Sequence, residues 1–136
     1  MVSLKLNTLL VLLTIVSVAR ADDQEKLKPM IYHPEWYINI SDWSFYATFG
    51  VGIIKDVTIE NTSDVIYRNV LIRLRYYSTS SRYYGRQISE GVGVLPVTVP
   101  PRSKKTYLKN GITFGQTPGQ IYAGGLEVLG AIPVVE

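Results

Sequence analysis

Residues 69–78 alternate between two kinds of side chain, and this alternation constrains the fold more than any other feature of the chain. One set is apolar or aromatic: Val70, Ile72, Leu74 and Tyr76. The other set is more polar: Leu71, Arg73, Arg75 and Tyr77. Because successive side chains of an extended chain point to opposite faces, the pattern predicts a half-buried strand of an antiparallel sheet.

Shorter runs of the same kind, separated by turn residues, continue along the chain from residue 35. Val57 and Ile59 are expected to point inward in a strand that precedes a turn at residues 61–64. Further strands are predicted at residues 83–89 after a hairpin turn at 78–81, at 91–101 with edge-favouring prolines, at 106–114 and at 120–129. We therefore predict an all-β fold, an immunoglobulin-like antiparallel β-sandwich of about seven strands, over residues 35–136.

The N-terminus resembles a secretory signal peptide. Lys5 precedes an apolar run at residues 8–19, and Ala19-Arg20-Ala21 places small residues at −3 and −1 of a cleavage site. The run is shorter than the roughly 20 apolar residues that a membrane-spanning helix needs. We expect cleavage after residue 21, a periplasmic or extracellular location, no membrane span after cleavage, and a flexible leader at residues 22–34.

The charge and the cysteine content exclude several classes of function. The whole chain has 14 basic and 11 acidic residues, and two of the basic residues, Lys5 and Arg20, leave with the predicted signal peptide. The remaining 12 basic and 11 acidic residues give no global electrostatic reason to expect a nucleic-acid partner. The chain has no cysteine, so disulfides, thiolate metal sites and thiol catalysis are excluded.

Three motifs between residues 57 and 107 resemble those of exported FxLYD-type and related immunoglobulin-like domains. They are Val57-x-Ile59-x-Asn61-x-Ser63, Val70-x-Ile72-x-Leu74-x-Tyr76-Tyr77, and Val99-Pro100-Pro101-x-Ser103 with Tyr107 beyond. This chain has Tyr77-Ser78 in place of the family's aromatic-Asp ending, and Asp56 in place of its usual glycine. The resemblance covers about residues 50–130. It implies an immunoglobulin-like sandwich outside the cytoplasm and no common enzymatic activity.

Residues that would form a catalytic or metal site are sparse. The only histidine, His33, lies in the predicted leader, and no Gly-x-Ser-x-Gly motif occurs. Asp56, Glu60 and Asp64 could meet around a turn and bind calcium, but their spacing is more typical of solvated turn carboxylates. We predict a protein that is not an enzyme and that needs no metal or organic cofactor.

The predicted hairpin around residues 78–81 offers one candidate binding surface. Its members are Arg73, Arg75, Tyr77, Arg82, Tyr83, Tyr84 and Arg86. Tyrosine and arginine are favoured at interfaces, so this surface suits a protein partner or, by stacking, a sugar ring. The alternative, which we favour, is that these long side chains only cover the wet face of the sheet.

A second aromatic group precedes the predicted strands: Trp36, Tyr37, Trp43, Phe45, Tyr46 and Phe49. In a small sandwich without disulfides such residues are expected in the core. Two glycosylation sequons begin at Asn39 and Asn61.

The sequence thus favours an exported interaction or structural module. Its most plausible partner is an unknown protein of the cell envelope. A glycan or cell-wall polymer on the Tyr/Arg hairpin is the alternative, and an exposed edge strand could also pair two copies.

Overall fold

The structure is a computed structural model and describes residues 24–135. The predicted signal peptide, residues 1–21, lies outside the described residues. Seven strands occur in the described part: β1 Ile38–Thr48, β2 Val51–Asn61, β3 Ile66–Ser78, β4 Gln87–Val99, β5 Ser103–Tyr107, β6 Ile112–Gln116 and β7 Ile121–Val134. A helix, α1, covers residues 24–32, and a 3-10 helix covers Pro34–Trp36.

The strands form two antiparallel sheets. In the first sheet β2 lies between β1 and β5, and β6 pairs with another part of β2 on the same side as β5. In the second sheet β3 lies between β4 and β7. β2 and β3 are consecutive in the chain but belong to different sheets, so the core lies between them. The prediction of an all-β antiparallel sandwich of about seven strands is confirmed.

The core consists of the inward faces of β2, β3 and β4, together with Ile38 of β1, Val65 before β3 and Phe114 of β6. On β3, Val70, Ile72 and Leu74 are fully buried, while Arg73 on the opposite side is half-buried. The two faces that we predict for β3 are therefore confirmed. Burial of each large apolar side chain contributes roughly 1.5–3 kcal/mol of transfer free energy, so this face anchors the second sheet.

β4 is one continuous strand, Gln87–Val99, whereas the sequence predicts two separate segments at residues 83–89 and 91–101. Gly91 and Gly93 lie within the strand. These two glycines face inward and leave room for aromatic rings. A Cβ on Gly91 would lie 2.6 Å from Tyr76 Oη, and a Cβ on Gly93 would lie 2.6 Å from Phe114 Cε2. The glycines are therefore required by packing against the rings, and they do not bend the strand.

The predicted strand at residues 106–114 is wrong, because the structure has two strands there. β5 ends at Tyr107 and β6 begins at Ile112. Between them Leu108 and Gly111 both have positive φ, 58° and 80°. These left-handed residues turn the chain, and the turn is closed by a hydrogen bond from Gly111 N to Leu108 O at 3.0 Å.

Residues 24–32, within the segment that we predict as a flexible leader, are α-helical. Leu27 and Met30 of α1 pack against the core. The hydroxyl of the buried Tyr67 donates a hydrogen bond to the Met30 carbonyl oxygen at 2.7 Å. These contacts attach α1 to the end of the sandwich where β3 begins.

Candidate functional site

Arg73 and Arg75 of β3 lie on the outer face of the second sheet, as predicted, but they face carboxylates. Arg73 Nη1 lies 3.1 Å and Arg75 Nη2 lies 3.4 Å from the same oxygen, Glu127 Oε2 on β7. Glu90 Oε2 on β4 lies 3.6 Å from Arg73 Nε. Because their charges are largely compensated within the sheet, these arginines act mainly as cross-strand partners. For this half of the candidate surface, the sheet-face interpretation is the better one.

The other half of the surface is not on the sheet. The prediction of a strand at residues 83–89 is wrong for Tyr83 and Tyr84, because residues 81–85 form a turn and β4 begins at Gln87. Arg82 and Arg86 lie with their guanidinium carbons 5.4 and 5.9 Å from the centre of the Tyr83 ring. These four residues therefore project from one end of the sandwich.

Tyr77 connects the two halves. Its ring stacks on Tyr122 of β7, with centroids 5.4 Å apart and planes inclined by 21°. Tyr84 approaches Tyr122 from the turn, with centroids 6.0 Å apart. The result is a row of three tyrosines that leads from the outer face of the second sheet to its end. The sequence analysis missed Tyr122, because cross-strand register cannot be derived from the pattern of one strand.

Backbone hydrogen bonds hold the turn at residues 79–86. Ser78 N donates to Arg86 O at 2.9 Å, and Gly85 N donates to Ser78 O at 3.0 Å. Arg86 N donates to Tyr83 O at 3.0 Å, and Gly85 supplies the left-handed φ of 81° that closes the turn. The tyrosine and arginine side chains are therefore not needed to form these hydrogen bonds.

Two further turns join this one at the same end. In the turn before β7, Gln120 O accepts a hydrogen bond from Thr79 N at 2.7 Å, and Thr117 N donates to Gly50 O at 2.8 Å in the β1–β2 turn. Phe49, beside Gly50, is fully exposed. We call these three turns, residues 49–50, 79–86 and 117–120, the aromatic loop end. Its exposed aromatic side chains are Phe49 (101%), Tyr83 (46%) and Tyr84 (72%).

The expectation that the six aromatic residues between Trp36 and Phe49 lie in the core is wrong for three of them. Tyr37, Trp43 and Phe45 do pack against the core. Trp36, Tyr46 and Phe49 are instead exposed. Phe49 has a left-handed φ of 51° in a tight turn, and Trp36 stacks on His33 with centroids 4.0 Å apart.

The opposite end of the sandwich is closed by a buried polar network around Asn61. Asn61 Nδ2 donates to Val65 O at 2.8 Å and to Pro100 O at 3.0 Å. Asn61 Oδ1 accepts from Ser63 N at 2.9 Å and from Ser63 Oγ at 2.7 Å. The Asn61 side chain thus connects the end of β2 to the start of β3 and to the end of β4.

This network determines which of the two sequon asparagines is accessible in the folded chain. Asn61 is 1% exposed and its amide nitrogen is hydrogen-bonded to backbone carbonyls, so the folded chain gives no access to that amide. Asn39, in β1, is exposed. The Asn-Thr-Ser sequence at residues 61–63 is a structural turn in the folded protein.

Asp56, Glu60 and Asp64, the carboxylates considered above as calcium ligands, do not form a cluster in the described residues. Asp64 Oδ1 accepts a hydrogen bond from Arg102 Nε at 2.9 Å. This hydrogen bond and the charge of Arg102 lower the pKa of Asp64 below its ordinary value. Within residues 24–135 no three acidic or histidine side chains are close enough together to hold a metal ion.

Comparison with known protein families, with curated proteins and with solved structures finds no match to this chain. The resemblance to FxLYD-type domains therefore stays a prediction. None of the helices within residues 24–135 has the length and apolar character needed to cross a membrane.

Proposed function

We propose that this chain is an exported, non-catalytic β-sandwich domain that acts as a protein-interaction or structural module and contacts its partner through the aromatic loop end. One observation carries the proposal. Phe49, Tyr83 and Tyr84 are exposed on turns whose shape is fixed by backbone hydrogen bonds. The signal-like N-terminus of the sequence supports the export part of the proposal.

Exposed aromatic side chains favour a protein contact for a physical reason. Burying a Tyr or Phe side chain removes a large apolar area from water, and the tyrosine hydroxyl retains a hydrogen-bonding group. Because the turns are already ordered, binding has a smaller entropic cost than binding by a mobile loop. Central aromatic residues of this kind contribute most of the binding energy in many interfaces.

Arg82 and Arg86 indicate the charge of the partner. Among the described residues neither arginine has a carboxylate within salt-bridge distance, whereas Arg73 and Arg75 share Glu127. A free guanidinium donates two parallel hydrogen bonds to a carboxylate. The surface therefore suits a partner patch that combines apolar area with Asp or Glu side chains.

The proposal includes no catalysis. His33, the only histidine, stacks on the exposed Trp36, and its Nδ1 lies 3.1 Å from Glu35 Oε1. His33 and Glu35 belong to the segment around the 3-10 helix, outside the aromatic loop end. The aromatic loop end supports binding rather than a general-base mechanism.

The test is a cross-linked pull-down from the native cell envelope. The test variant combines Phe49→Asn, Tyr83→Ser and Tyr84→Ser, and asparagine is used at residue 49 because it tolerates a left-handed φ. The control variant combines Tyr32→Ser and Trp36→Ser, since these exposed aromatics (73% and 65%) belong to α1 and the 3-10 helix. Circular dichroism confirms that both variants are folded.

We expect one protein to be captured by the wild type and by the control variant, and to be lost with the test variant. Equal capture by all three chains would place the contact elsewhere and contradict the proposed surface. Capture of no specific protein by any of them would contradict the interaction function itself.

The row formed by Tyr77, Tyr122 and Tyr84 supports a second candidate, the binding of a glycan or cell-wall polymer. Sugar rings stack on flat aromatic faces, and the exposed Tyr84 offers such a face at the end of this row. A polymer that changes the tyrosine fluorescence of the wild type, with the change abolished by Tyr84→Ala, would favour it. Tyr46→Ala, which removes an exposed tyrosine of β1, is the control.

A further inference from the structure

β4 forms one edge of the second sheet, and it differs from the other edge strands in having little protection. An edge strand exposes unpaired backbone N–H and C=O groups, which can pair with a strand of another chain. Proteins usually block such edges with bulges, prolines, lysines, short strands or covering segments.

The other edge strands have these protections. β1 has two register shifts around Asp42, and β5 has five residues that include Lys104 and Lys105. β6 also has only five residues. β7 contains Pro133 and a left-handed Gly125, has three register shifts in its pairing with β3, and lies against β1 and the 3-10 helix.

β4 has 13 residues, Gln87–Val99, and only one of them, Glu90, is charged. Its pairing with β3 has two register shifts, one near each end of the strand, and runs without a shift through the central segment from Ser89 to Leu95. Pro96 is the one residue of the strand that blocks pairing, because it lacks an N–H group. On the outward face Ile88, Val92 and Val94 are about half exposed, at 45%, 55% and 49%.

We propose that β4 is a self-association edge, on which two copies of this chain pair their β4 strands antiparallel around a two-fold axis at Gly93. The two second sheets then form one continuous six-stranded sheet. The proposal is independent of the partner contact at the aromatic loop end, which involves other residues.

The side-chain pattern of β4 fits a second copy. When the central segments of two β4 strands pair in this way, Gly93 lies opposite Gly93 of the other copy. Val92 then lies opposite Val94 in both halves, so four valines meet on the outer face next to the axis. Such apolar and β-branched cross-strand pairs stabilise a sheet.

The charges of β4 also fit a second copy. In this register Glu90 of each chain lies opposite Pro96 of the other, so the two carboxylates are on opposite sides of the axis. Each Glu90 Oε2 lies 3.6 Å from Arg73 Nε of its own chain. Pairing therefore brings no like charges opposite each other, which would be destabilising.

Sedimentation equilibrium of the purified protein tests the pairing. We expect a reversible dimer of twice the monomer mass. In the variant Val92→Lys/Val94→Lys, lysines lie directly opposite each other at both pairs, so we expect the dimer affinity to fall at least tenfold. The control Ile132→Lys, at an equally exposed site on β7 (50%), is expected to dimerise like the wild type.

A charge-reversed chain separates loss of pairing from loss of folding. Val92→Glu/Val94→Glu is expected to be monomeric alone and to form a heterodimer when mixed with Val92→Lys/Val94→Lys. A wild type that stays monomeric up to about 1 mM, where even weak complexes form, would overturn the proposal. A wild-type dimer that survives the lysine variant unchanged would also overturn it.

The register is tested by disulfide cross-linking, because the chain has no cysteine of its own. A mixture of Val92→Cys and Val94→Cys chains is expected to cross-link faster than either chain alone, since only the mixture places the two thiols directly opposite each other. Equal rates for all three samples would overturn the proposed axis at Gly93.

Pull-down with the Val92→Lys/Val94→Lys variant keeps the two proposals distinguishable, because this variant should capture the same envelope partner as the wild type.

Discussion

The two ends of the sandwich contain similar turn-forming residues but are stabilised in opposite ways. At the Asn61 end, buried side chains hold the turn through hydrogen bonds to the backbone of three segments. At the aromatic loop end, backbone groups hold the turns with one side chain, Ser78, whose Oγ accepts a hydrogen bond from Ser80 N at 3.1 Å. The side chains of Phe49, Tyr83 and Tyr84 are exposed there.

This difference predicts which substitutions change the stability of the chain and which change its binding. A substitution at the Asn61 end removes hydrogen bonds that nothing else replaces, so it should be seen as a loss of stability. A side-chain substitution at the aromatic loop end leaves the backbone hydrogen bonds in place, so it should be seen in binding. Each prediction below changes a residue of one of these two ends.

The largest effect is expected for Asn61→Ala, which should lower the free energy of unfolding by about 3 kcal/mol because several buried backbone groups lose their partner. Urea denaturation measures this change. The control is Asn39→Ala in the exposed sequon, which should change stability by less than about 0.5 kcal/mol. Similar values for both variants would show that the Asn61 network does not stabilise this end.

Ser63→Ala should cost about 1.5 kcal/mol, because the fully buried Ser63 Oγ accepts a hydrogen bond from Val65 N at 3.0 Å and donates one to Asn61 Oδ1. The control, Ser81→Ala, changes an exposed serine of the aromatic loop end and should be close to neutral. Both variants are compared by urea denaturation. A neutral Ser63→Ala would mean that water can replace the hydroxyl.

Gly85→Ala should cost about 1 kcal/mol, through the backbone alone. Its φ is +81°, and an added Cβ would meet no atom within 4 Å. The control is Gly119→Ala at the same end, where there is also open space and φ is not left-handed. Gly85→Ala should therefore lower the Tm, whereas Gly119→Ala should lower it less or raise it. Equal changes in Tm for the two variants would show that the left-handed φ of Gly85 does not control the stability of this turn.

Tyr84→Ser should change the free energy of unfolding by less than about 0.5 kcal/mol, as is usual for an exposed side chain. The ring contacts Tyr122 at a centroid distance of 6.0 Å but is 72% exposed. The measurement is urea denaturation beside the pull-down described above. A loss of several kcal/mol would make Tyr84 a structural residue and remove it from the proposed surface.

The smallest effect concerns the Asp64–Arg102 ion pair, which is exposed to solvent. The hydrogen bond from Arg102 lowers the pKa of Asp64 in the folded chain below the ordinary value of 3.8. The pair therefore contributes its full stability above that ordinary value, and the contribution is lost as the pH falls through the folded pKa. The stability difference between wild type and Asp64→Asn should be constant near neutral pH and shrink below about pH 4. A difference that does not change in acid would exclude this pair as its cause.

The sequence predicts the parts of the fold that depend on local alternation. β3 was predicted with both faces correct, because its apolar and polar residues alternate without interruption. The continuity of β4 was missed, because glycine and proline usually interrupt strands, whereas Gly91 and Gly93 here make room for the rings of Tyr76 and Phe114. α1 was missed because nine residues are too few to show a helical period.

The candidate site was predicted less well, because its geometry depends on register. Arg73 meets Glu127, which is 54 positions later in the chain, and no local pattern indicates that pairing. Tyr83 and Tyr84 were included in the candidate surface and are exposed, but the start of β4 determines whether they lie on the sheet or at its end. Phe49 was assigned to the core because hydrophobic character alone does not reveal an exposed turn.

The burial of Asn61 has a consequence for the order of events during synthesis. In a host that attaches glycans to exported chains, the transferase can reach this asparagine only before β2, β3 and β4 have come together. A chain modified there cannot afterwards enclose the amide, so it would not reach this fold. Glycan occupancy at residue 61 would thus report how often modification precedes folding. Occupancy at residue 39 would not, because that asparagine is exposed both before and after folding.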